Sequence, residues 1–329
     1  MGYGPDDLYT RWSSRALQQW QTFFDRVQKP LFQRTGVLWL GKDGDSYTPE
    51  TLKTLQRLNI PVEQLDRAEL EKRFPQFAFD DVIFGVLEPD SGVLMARQAV
   101  QAVVENVIVK GATYISGSIV QPIGHSRLEA VRTSNGTVIH ANTFVFACGP
   151  WLGKIFPDIL ANRLFVTRQE VFFFGTPAGV KTFKPGSMPT WICVGDQAYG
   201  MPDLENRGIK FAFDRHGPPF DPDDGCRVVT TEGVQAARDY VGMRLRGSKG
   251  APILETRVCQ YENTSNGDFL IDRHPAFENV WLAGGGSGHG FKHGPVVGEY
   301  VSDLAVRGGA TDARFSLATK ECVQHRVIL

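Results

Sequence analysis

The chain has 329 residues, of which 42% are hydrophobic and 22% are charged, and its formal net charge is -1. This length holds roughly two domains of about 150 residues, with a sizeable core. The balanced charge excludes the basic surface of a nucleic-acid-binding protein and offers no attraction to an acidic membrane. The composition also excludes disordered, collagen-like and coiled-coil chains.

The cysteines and the chain ends indicate the compartment. Five cysteines are scattered without a CxxC or a Cys/His metal spacing, and an odd count suits a disulfide framework poorly, so no metal site is predicted. No apolar run approaches the about 20 residues that cross a bilayer, and residues 1–10 lack the regions of a signal peptide. The chain ends Val327-Ile328-Leu329, which is not a peroxisomal address. We therefore expect a soluble, cytoplasmic protein, whose oligomeric state stays open.

The first half of the chain predicts an α/β layer. Residues 5–28 carry apolar side chains at helical spacing behind a proline and two aspartates that suit a first turn. Residues 96–110 predict an amphipathic helix with Val100 and Val107 on its apolar face, ended by Gly111 in the left-handed conformation. In chain order, the predicted elements are a helix over 5–28, a strand over 35–41, a short helix from Thr48, a helix with a capping box of Asp66 and Glu69, a strand over 82–87, a helix over 96–110, a strand over 112–116, a hairpin of 128–133 with 137–140, and a strand over 143–147.

The last of these strands is nearly all apolar. Its sequence, TFVFA over residues 143–147, is typical of a strand that is buried on both faces. It leads directly into Cys148-Gly149-Pro150-Trp151.

The second half is β-rich to about residue 272 and then returns to α/β character. The predicted elements are strands over 165–174, 191–194, 208–213 and 254–261, a helix over 231–245, a strand over 280–283, a glycine-rich turn over 284–290 and a helix over 295–306. A strand, a glycine turn and a helix in this order suit a cradle for a phosphate or a cofactor, because missing side chains let a ligand approach the backbone. A tight packing turn explains the same residues, since neither GxGxxG nor Walker spacing is present.

Several motifs together carry a resemblance to a known family. They are EPDSGVL at 88–94, ACGPW at 147–151, YGMP at 199–202 with GIK at 208–210, CQY at 259–261 with DFLIDRHP at 268–275, and GGGSGHGFK at 284–292. In order and approximate spacing they resemble the FAD-dependent oxidoreductases of the D-amino-acid oxidase superfamily, nearest to the monomeric sarcosine oxidase and N-methyl-amino-acid oxidase branch. The resemblance extends over nearly the whole chain.

The resemblance implies a mixed α/β fold with two interleaved domains. A truncated, Rossmann-like FAD-binding domain is expected to take residues 1–30, 96–163 and 266–329. A β-rich substrate domain is expected to take residues 31–95 and 164–265. Residues 147–151 and 284–292 are expected to converge at one cleft between them.

One departure from the family concerns the beginning of the chain. Family members start with a βαβ unit that carries GxGxxG and an acidic ribose ligand, followed by a basic segment near the flavin. Tyr3-Gly4 aligns with the end of that segment, so about fifty residues are expected to be absent, and Met1 is interpreted as an internal methionine. Without the pyrophosphate site we expect weak FAD binding, unless Cys259 retains the flavin covalently.

The resemblance implies a catalytic role for Lys210. It would lie over the flavin and activate oxygen, because a fixed cation stabilises the superoxide that develops there. A solvated lysine on a strand is the ordinary alternative. Four residues on, Asp214 stands where the sarcosine-oxidising branch tends to have His, which alters the electrostatics expected at the site.

Three further residues are implied in substrate binding. Lys292 matches the lysine that holds the substrate carboxylate, and Tyr199 and Tyr261 match aromatic residues on the substrate side of the flavin. An exposed cation and two core tyrosines are the alternatives.

The implied cofactor contacts form a larger set. Val120 matches an adenine contact, with an ordinary core valine as the alternative, and Cys259 matches the cysteine bonded to the flavin 8α position, with an inert buried cysteine as the alternative. The other implied flavin contacts are Cys148, Gly149, Trp151, Gly285, Gly286, Ser287, Gly288, His289, Gly290, Phe291 and Lys292.

The implied reaction oxidises an amino acid or N-methyl amino acid. The amine becomes an imine, and oxygen takes the electrons and is released as hydrogen peroxide. Two alternatives stay open: a dehydrogenase that passes electrons to a carrier, and a non-catalytic remnant that cannot hold FAD.

Overall fold

The computed structural model describes residues 2–325, so Met1 and the terminal Val327-Ile328-Leu329 lie outside the described residues. The helices are α1 (Asp7–Val27), α2 (Tyr47–Arg57), α3 (Arg67–Arg73), α4 (Ala96–Val109), α5 (Leu152–Ile155), α6 (Pro157–Leu160), α7 (Thr231–Arg244) and α8 (Gly294–Arg307). The strands are β1 (Phe32–Gln33), β2 (Val37–Lys42), β3 (Glu63–Asp66), β4 (Val82–Glu88), β5 (Val93–Leu94), β6 (Ala130–Arg132), β7 (Val138–His140), β8 (Phe144–Phe146), β9 (Leu164–Phe174), β10 (Thr190–Cys193), β11 (Ala198–Met201), β12 (Ile209–Phe213), β13 (Ile253–Thr264), β14 (Leu270–Arg273) and β15 (Val280–Gly284). Short 3₁₀ turns cover Gly149–Trp151, Gly290–His293, Ala313–Phe315 and Leu317–Thr319.

An eight-stranded sheet is the largest element of the fold. Its strand order is β13-β9-β12-β11-β10-β2-β4-β3, so strands from two separate stretches of sequence join at the β10–β2 pair. That pair is parallel, with Trp191 beside Leu38, whereas the other neighbours in the sheet are antiparallel. The interleaving expected from the sequence is therefore present within one sheet, while the domain boundaries themselves stay predictions.

One face of this sheet carries the main hydrophobic core. Residues alternate across a strand, and on β12 this places Ile209 and Phe211 in that core, both 0% exposed. Helix α7 packs on the same side through Ala237 and Val241, which are also fully buried. The opposite face of the sheet is thereby left to form the wall of a cavity.

An ion-pair network around the buried Arg244 fastens α7 to the sheet. Arg244 is fully buried and donates to Asp81 at 2.8 Å and to Asp196 at 3.1 Å. Lys42 of β2 pairs with both carboxylates, at 2.7 and 2.6 Å, and Tyr240 donates to Asp196 at 2.7 Å. The charges are compensated within the network, as a buried cation requires.

A smaller sheet, β14-β15-β8, holds the C-terminal part of the chain. β8 and β15 are parallel, with Phe146 beside Leu282, so their carboxyl ends meet at one edge. Residues 147–151 and 284–292 both leave from this edge. Their convergence at one cleft stays a prediction. Helices α1 and α8 cover the sheet around Trp281 and Phe269.

Most predicted elements are confirmed, including the capping box of Asp66 with Glu69 and the left-handed Gly111, whose φ is 95°. The strand expected over 112–116 is wrong: residues 112–118 form no strand and are exposed. Pattern alone cannot supply the neighbouring strand that a ladder needs, and none pairs with this segment in the described chain.

The burial expected for two neighbouring elements, β8 and α4, is also wrong. Val145 of β8 is 46% exposed, because the face of β8 that carries it is uncovered, whereas Phe144 and Phe146 on the other face are buried. Val100 and Val107, on the expected apolar face of α4, are 49% and 41% exposed, and the helix instead buries Ala99 and Ala102.

Candidate active site

A cavity of about 420 Å³ lies between the uncovered face of the large sheet and the wall formed by α1 and the glycine turn. Strand alternation explains its composition. In the sheet register Lys210 pairs with Met201 and Tyr199 with Ala212, so these side chains share the face opposite to the core. The sheet wall is completed by Trp39, Ile192, Asp214 and Tyr261.

Lys210 projects from β12 into this cavity. Its Nζ lies 5.4 Å from the ring centroid of Tyr199, within the range of a cation–π contact. In residues 2–325 no ion pair involves Lys210. The charge of this lysine is therefore available to whatever occupies the cavity.

Tyr261 lies on the sheet wall beside Tyr199 and Asp214. Burial, followed by the influence of Tyr199 and Asp214, raises the pKa of Tyr261 well above its ordinary value. Tyr261 accordingly stays a neutral hydroxyl at any physiological pH.

The glycine turn forms the opposite wall. Gly288 has φ 81°, and a Cβ there would come within 2.5 Å of the Tyr261 ring, so only glycine fits. Ser287 also takes a left-handed conformation, with φ 45°, and its N–H donates to the Glu262 carbonyl at 2.9 Å. The turn is thus held against β13 by its own backbone.

Glu262 lies buried beneath this turn. Its Oε2 accepts the N–H of Gly285 at 2.9 Å, whereas Oε1 has no hydrogen-bond partner in the described chain. Burial raises the pKa of Glu262 to about 7, against the lowering effect of the Gly285 and Gly286 N–H groups. The resemblance implies that Gly285 contacts the flavin, and in the structure its N–H is occupied by Glu262.

Lys292 and Phe291 follow the turn. The Nζ of Lys292 lies 4.6 Å from the ring centroid of Tyr3, and the Lys292 carbonyl accepts from Trp20 Nε1 at 3.0 Å. Trp20 also stacks on Phe291 with centroids 5.5 Å apart. Helix α1 therefore fixes the backbone from which Lys292 enters the cavity.

Two buried polar residues behind the cavity were not expected from the sequence. His293 is fully buried, and burial lowers its pKa to about 2, so the ring is neutral and shares a 2.8 Å hydrogen bond with Tyr3. Glu88 accepts from Trp39 Nε1 and from Ser91 Oγ, each at 2.8 Å. Glu88 belongs to the EPDSGVL motif, which was the available signal; nothing local marks His293.

About half of the residues expected at the site line the cavity, and the others do not. Of the expected residues, those that line the cavity are Lys210, Tyr199, Tyr261, Ser287, Gly288, His289, Phe291 and Lys292. Those that lie outside its lining are Val120, Cys148, Gly149, Trp151, Cys259, Gly285, Gly286 and Gly290.

The residues outside the lining have varied surroundings. Val120 is 49% exposed, which argues against an ordinary core valine, and Trp151 donates to Asp223 at 2.7 Å on the surface. Burial, followed by the charge of Glu262, raises the pKa of the Cys148 thiol.

Cys259 is exposed, and it shares a face of β13 with Tyr261 two residues on. It therefore lies beside the cavity.

The cavity suits a flat aromatic cofactor ring. Its walls are largely apolar and aromatic, and two lysines reach into it, which suits an oxygen-bearing ring that gains negative charge when it accepts electrons. A Cβ on Gly149 would meet nothing within 4 Å, and one on Gly286 would meet only Gly290, no closer than 3.8 Å. Open space therefore continues along the edge where β8 and β15 end.

Two further properties concern residues 2–325. No helix there is long and apolar enough to span a membrane. No group of three or more His, Cys, Asp or Glu side chains is placed to hold a metal ion in this part of the chain.

Comparisons with known proteins show the family of the chain. Residues 1–304 match the family described as FAD dependent oxidoreductase. The chain is 29% identical over 313 residues to a monomeric sarcosine oxidase of Bacillus sp. (strain NS-129), covering 93% of this chain and 80% of that protein. It is 28% identical over 310 residues to an N-methyl-L-tryptophan oxidase of Salmonella heidelberg (strain SL476), covering 92% and 81%.

Solved structures show the same fold. An L-proline dehydrogenase from P. horikoshii superposes with a TM-score of 0.80 at 20% identity, covering 94% of this chain and 82% of that one. A modified fructosyl peptide oxidase from Aspergillus nidulans gives a TM-score of 0.81 at 19% identity, covering 96% and 81%.

Proposed function

The chain belongs to the FAD dependent oxidoreductase family, and on that premise we propose that it oxidises an amino acid or an N-methyl amino acid. The observation that carries this proposal is the meeting of Lys210, Lys292, Tyr199 and Tyr261 on one cavity. Two of the similar proteins are named as oxidases of N-methylated amino acids, which supports the substrate class.

The reaction removes two electrons from the substrate. The carbon next to nitrogen loses a hydride and the nitrogen loses a proton, so that an imine forms, which water then hydrolyses. FAD, when bound, supplies the acceptor for the hydride. Molecular oxygen takes up the two electrons with two protons and leaves as hydrogen peroxide.

The protein's own side chains would position the substrate and stabilise the charge that develops during the reaction. Lys292 binds the substrate carboxylate, and Tyr199 and Tyr261 exclude water from the reacting carbon. Lys210 stabilises the negative charge that develops on oxygen, because it is fixed on a strand and carries no competing ion pair in the described chain. No side chain needs to act as a strong base.

Retention of the cofactor is a separate part of the proposal. Val120, expected near the adenine, is half exposed. We propose that Cys259 forms a thioether with the flavin. The exposure of Cys259 beside the cavity leaves its thiol accessible for that bond.

The experiment combines a binding and a turnover measurement. FAD fluorescence is titrated with the purified chain, and peroxide and oxygen consumption are then followed with a panel of N-methyl and unmethylated amino acids. Peroxide formed in proportion to substrate supports an oxidase. Flavin reduction without oxygen consumption identifies a dehydrogenase, and failure to bind FAD at millimolar concentration identifies a non-catalytic remnant.

We also propose a cytoplasmic location. The five cysteines are free in the structure, as expected in a reducing compartment. Fractionation of cells that express the tagged chain tests this, and recovery in a membrane or exported fraction would contradict it.

A further inference from the structure

One end of the cavity is apolar and takes no part in the reaction described above. Ile192 of β10 pairs with Trp39 of β2, and both side chains line the cavity. Strands β1 and β5 pair just beyond the end of the β2–β4 pair and add Phe32 and Leu94 to the lining. Leu17 of α1 faces them from the opposite wall. These five residues are called the apolar end of the cavity.

The side chains of the lining that carry charge near neutral pH come from other elements. Lys210 belongs to β12 and Asp214 follows it, and β12 is three places from β2 in the sheet, about 14 Å across the strands. His289 and Lys292 come from the glycine turn and the 3₁₀ turn after it. Strands β1, β2, β5 and β10 contribute no charged side chain to the lining formed by residues 2–325.

The glycine turn lies at the far end of the sheet wall from Trp39. Gly288 packs against Tyr261 of β13, and β13 is five places from β2 in the strand order. The open space that suits a cofactor ring continues from this turn along the edge where β8 and β15 end. We therefore expect the ring at the β13 side of the cavity, which leaves the apolar end to the substrate.

The polar groups along the apolar end are already bonded within the protein. Trp39 Nε1 and Ser91 Oγ both donate to the Glu88 carboxylate, each at 2.8 Å. Ser13 Oγ donates to a backbone carbonyl of its own helix, and Thr190 Oγ1 shares a 3.0 Å hydrogen bond with a neighbouring threonine. A polar ligand group entering here would give up its hydrogen bonds to water and meet groups that are already engaged.

An apolar ligand group gains from the same surroundings. Leu17, Phe32, Leu94 and Ile192 are only partly buried, and their side chains line the cavity. Removing apolar surface from water is favourable in proportion to the area, so each methylene group buried here should tighten binding roughly fourfold.

We propose that the apolar end binds the side chain of the substrate, and that the chain prefers amino acids with a large apolar side chain, of the size of leucine or above, to those with a short or polar one. This inference rests on the proposed function, since it takes the cavity as the substrate site. The five residues of the apolar end are on this view specificity-determining, because they contact the side chain and not the reacting carbon.

Three carboxylates without a nitrogen on the reacting carbon test the pocket without turnover. 4-Methylpentanoate carries the side chain of leucine, succinamate is its isostere with the amide of asparagine, and propanoate ends at the carbon next to the reacting one. Binding of each to the full chain, with excess FAD, is measured by calorimetry. We expect 4-methylpentanoate to bind at least about tenfold more tightly than either of the others.

Two isoleucine variants locate the effect. Ile192→Thr keeps the branched side chain that suits a strand but loses apolar surface at the apolar end, so it should weaken 4-methylpentanoate roughly fivefold and leave propanoate unchanged. Ile83→Thr, on β4 at an exposed position outside the cavity lining, is the matched control and should change no affinity.

Four results would overturn the inference: equal affinities for 4-methylpentanoate and succinamate, tighter binding of succinamate, no binding of any of the three, or an unchanged preference in Ile192→Thr. Flavin reduction by sarcosine as efficient as that by N-methylleucine would also overturn it, while leaving the proposed function in place. The proposed function fails on a different result, namely absence of flavin reduction by every amino acid of the panel. The two failures are therefore distinguishable.

Discussion

The Glu262 carboxyl accepts the N–H of Gly285 through Oε2 at 2.9 Å, while its Oε1 is buried without a partner in the described chain. This arrangement suits a protonated acid, because Oε2 takes the backbone donor and Oε1 can carry the proton. The glycine turn of the cavity is thus supported by a group whose charge changes near neutral pH.

The first prediction follows from that pKa. The folded pKa of Glu262 is about 7, against an ordinary value of 4.5, so the folded state keeps its proton to higher pH than the unfolded state does. The free energy of unfolding should therefore fall as pH rises from about 4.5 through 7, by up to about 3 kcal/mol from this group. Urea unfolding at pH 5, 6, 7 and 8 measures the loss.

Glu262→Gln provides the test variant, since glutamine stays neutral and keeps an acceptor for Gly285. In this variant, residue 262 should no longer contribute to the pH dependence of the free energy of unfolding. The stability of the variant relative to the wild type should therefore increase as pH rises. Glu129→Gln, at an exposed position, is the control and should follow the wild type. Parallel pH profiles for the wild type and Glu262→Gln would show that Glu262 is charged throughout.

The second prediction separates the roles of the two cavity lysines in protein loaded with FAD. Lys210→Met should slow reoxidation by oxygen by about 10²–10³-fold and leave anaerobic reduction largely intact, because the cation acts on charge that develops on oxygen. Stopped-flow absorbance resolves the two half-reactions.

Lys292→Met serves as the reciprocal variant. It should weaken binding of carboxylate substrates by roughly tenfold to a hundredfold with little change in reoxidation. If Lys210→Met impairs only the reduction step, the assignment is wrong, and Lys210 is a substrate ligand or a structural cation.

The third prediction concerns the contact between Gly288 and Tyr261. Gly288→Ala would force a Cβ to 2.5 Å from the Tyr261 ring at φ 81°, so we expect a displaced turn and a loss of stability of about 1–3 kcal/mol. Thermal unfolding gives the stability, and FAD titration reports the shape of the cavity.

A matched glycine separates steric clash from backbone strain. Gly111 has φ 95°, and a Cβ at this position would meet nothing within 4 Å, so Gly111→Ala carries only the strain. Gly288→Ala should therefore cost more than Gly111→Ala and should alone impair FAD binding. Equal effects of the two substitutions on both measurements would argue that the Tyr261 contact is unimportant.

The sequence pattern correctly predicted the elements that are determined by residues close together in the chain. The glycine-ended helix α4 and the Asp66 capping box both depend on residues within one element, and the structure confirms each. One cavity is lined by Lys210 and by part of the motif at 284–292, and the roles that the family resemblance gives these residues stay predictions.

The errors and omissions depend on contacts between distant segments. The apolar sequence around Val145 predicts burial on both faces, but burial of a face depends on what packs against it, and the face of β8 that carries Val145 is uncovered. Glu262 looks like any strand glutamate until the glycine turn, some twenty residues later, folds over it. His293 is likewise buried by Tyr3, from the other end of the chain.

The fourth prediction concerns covalent attachment of the flavin. Cys259 is exposed on the face of β13 that carries Tyr261, two residues from the cavity lining, so its thiol is accessible to the edge of a bound ring. If a thioether forms, acid precipitation of the FAD-loaded protein should leave the yellow colour in the pellet. Cys259→Ser should release all of the flavin into the supernatant, because an alcohol does not form this bond under the same conditions. Cys226→Ser, which removes another exposed thiol, should retain the colour, and free flavin in the wild-type supernatant would contradict covalent attachment.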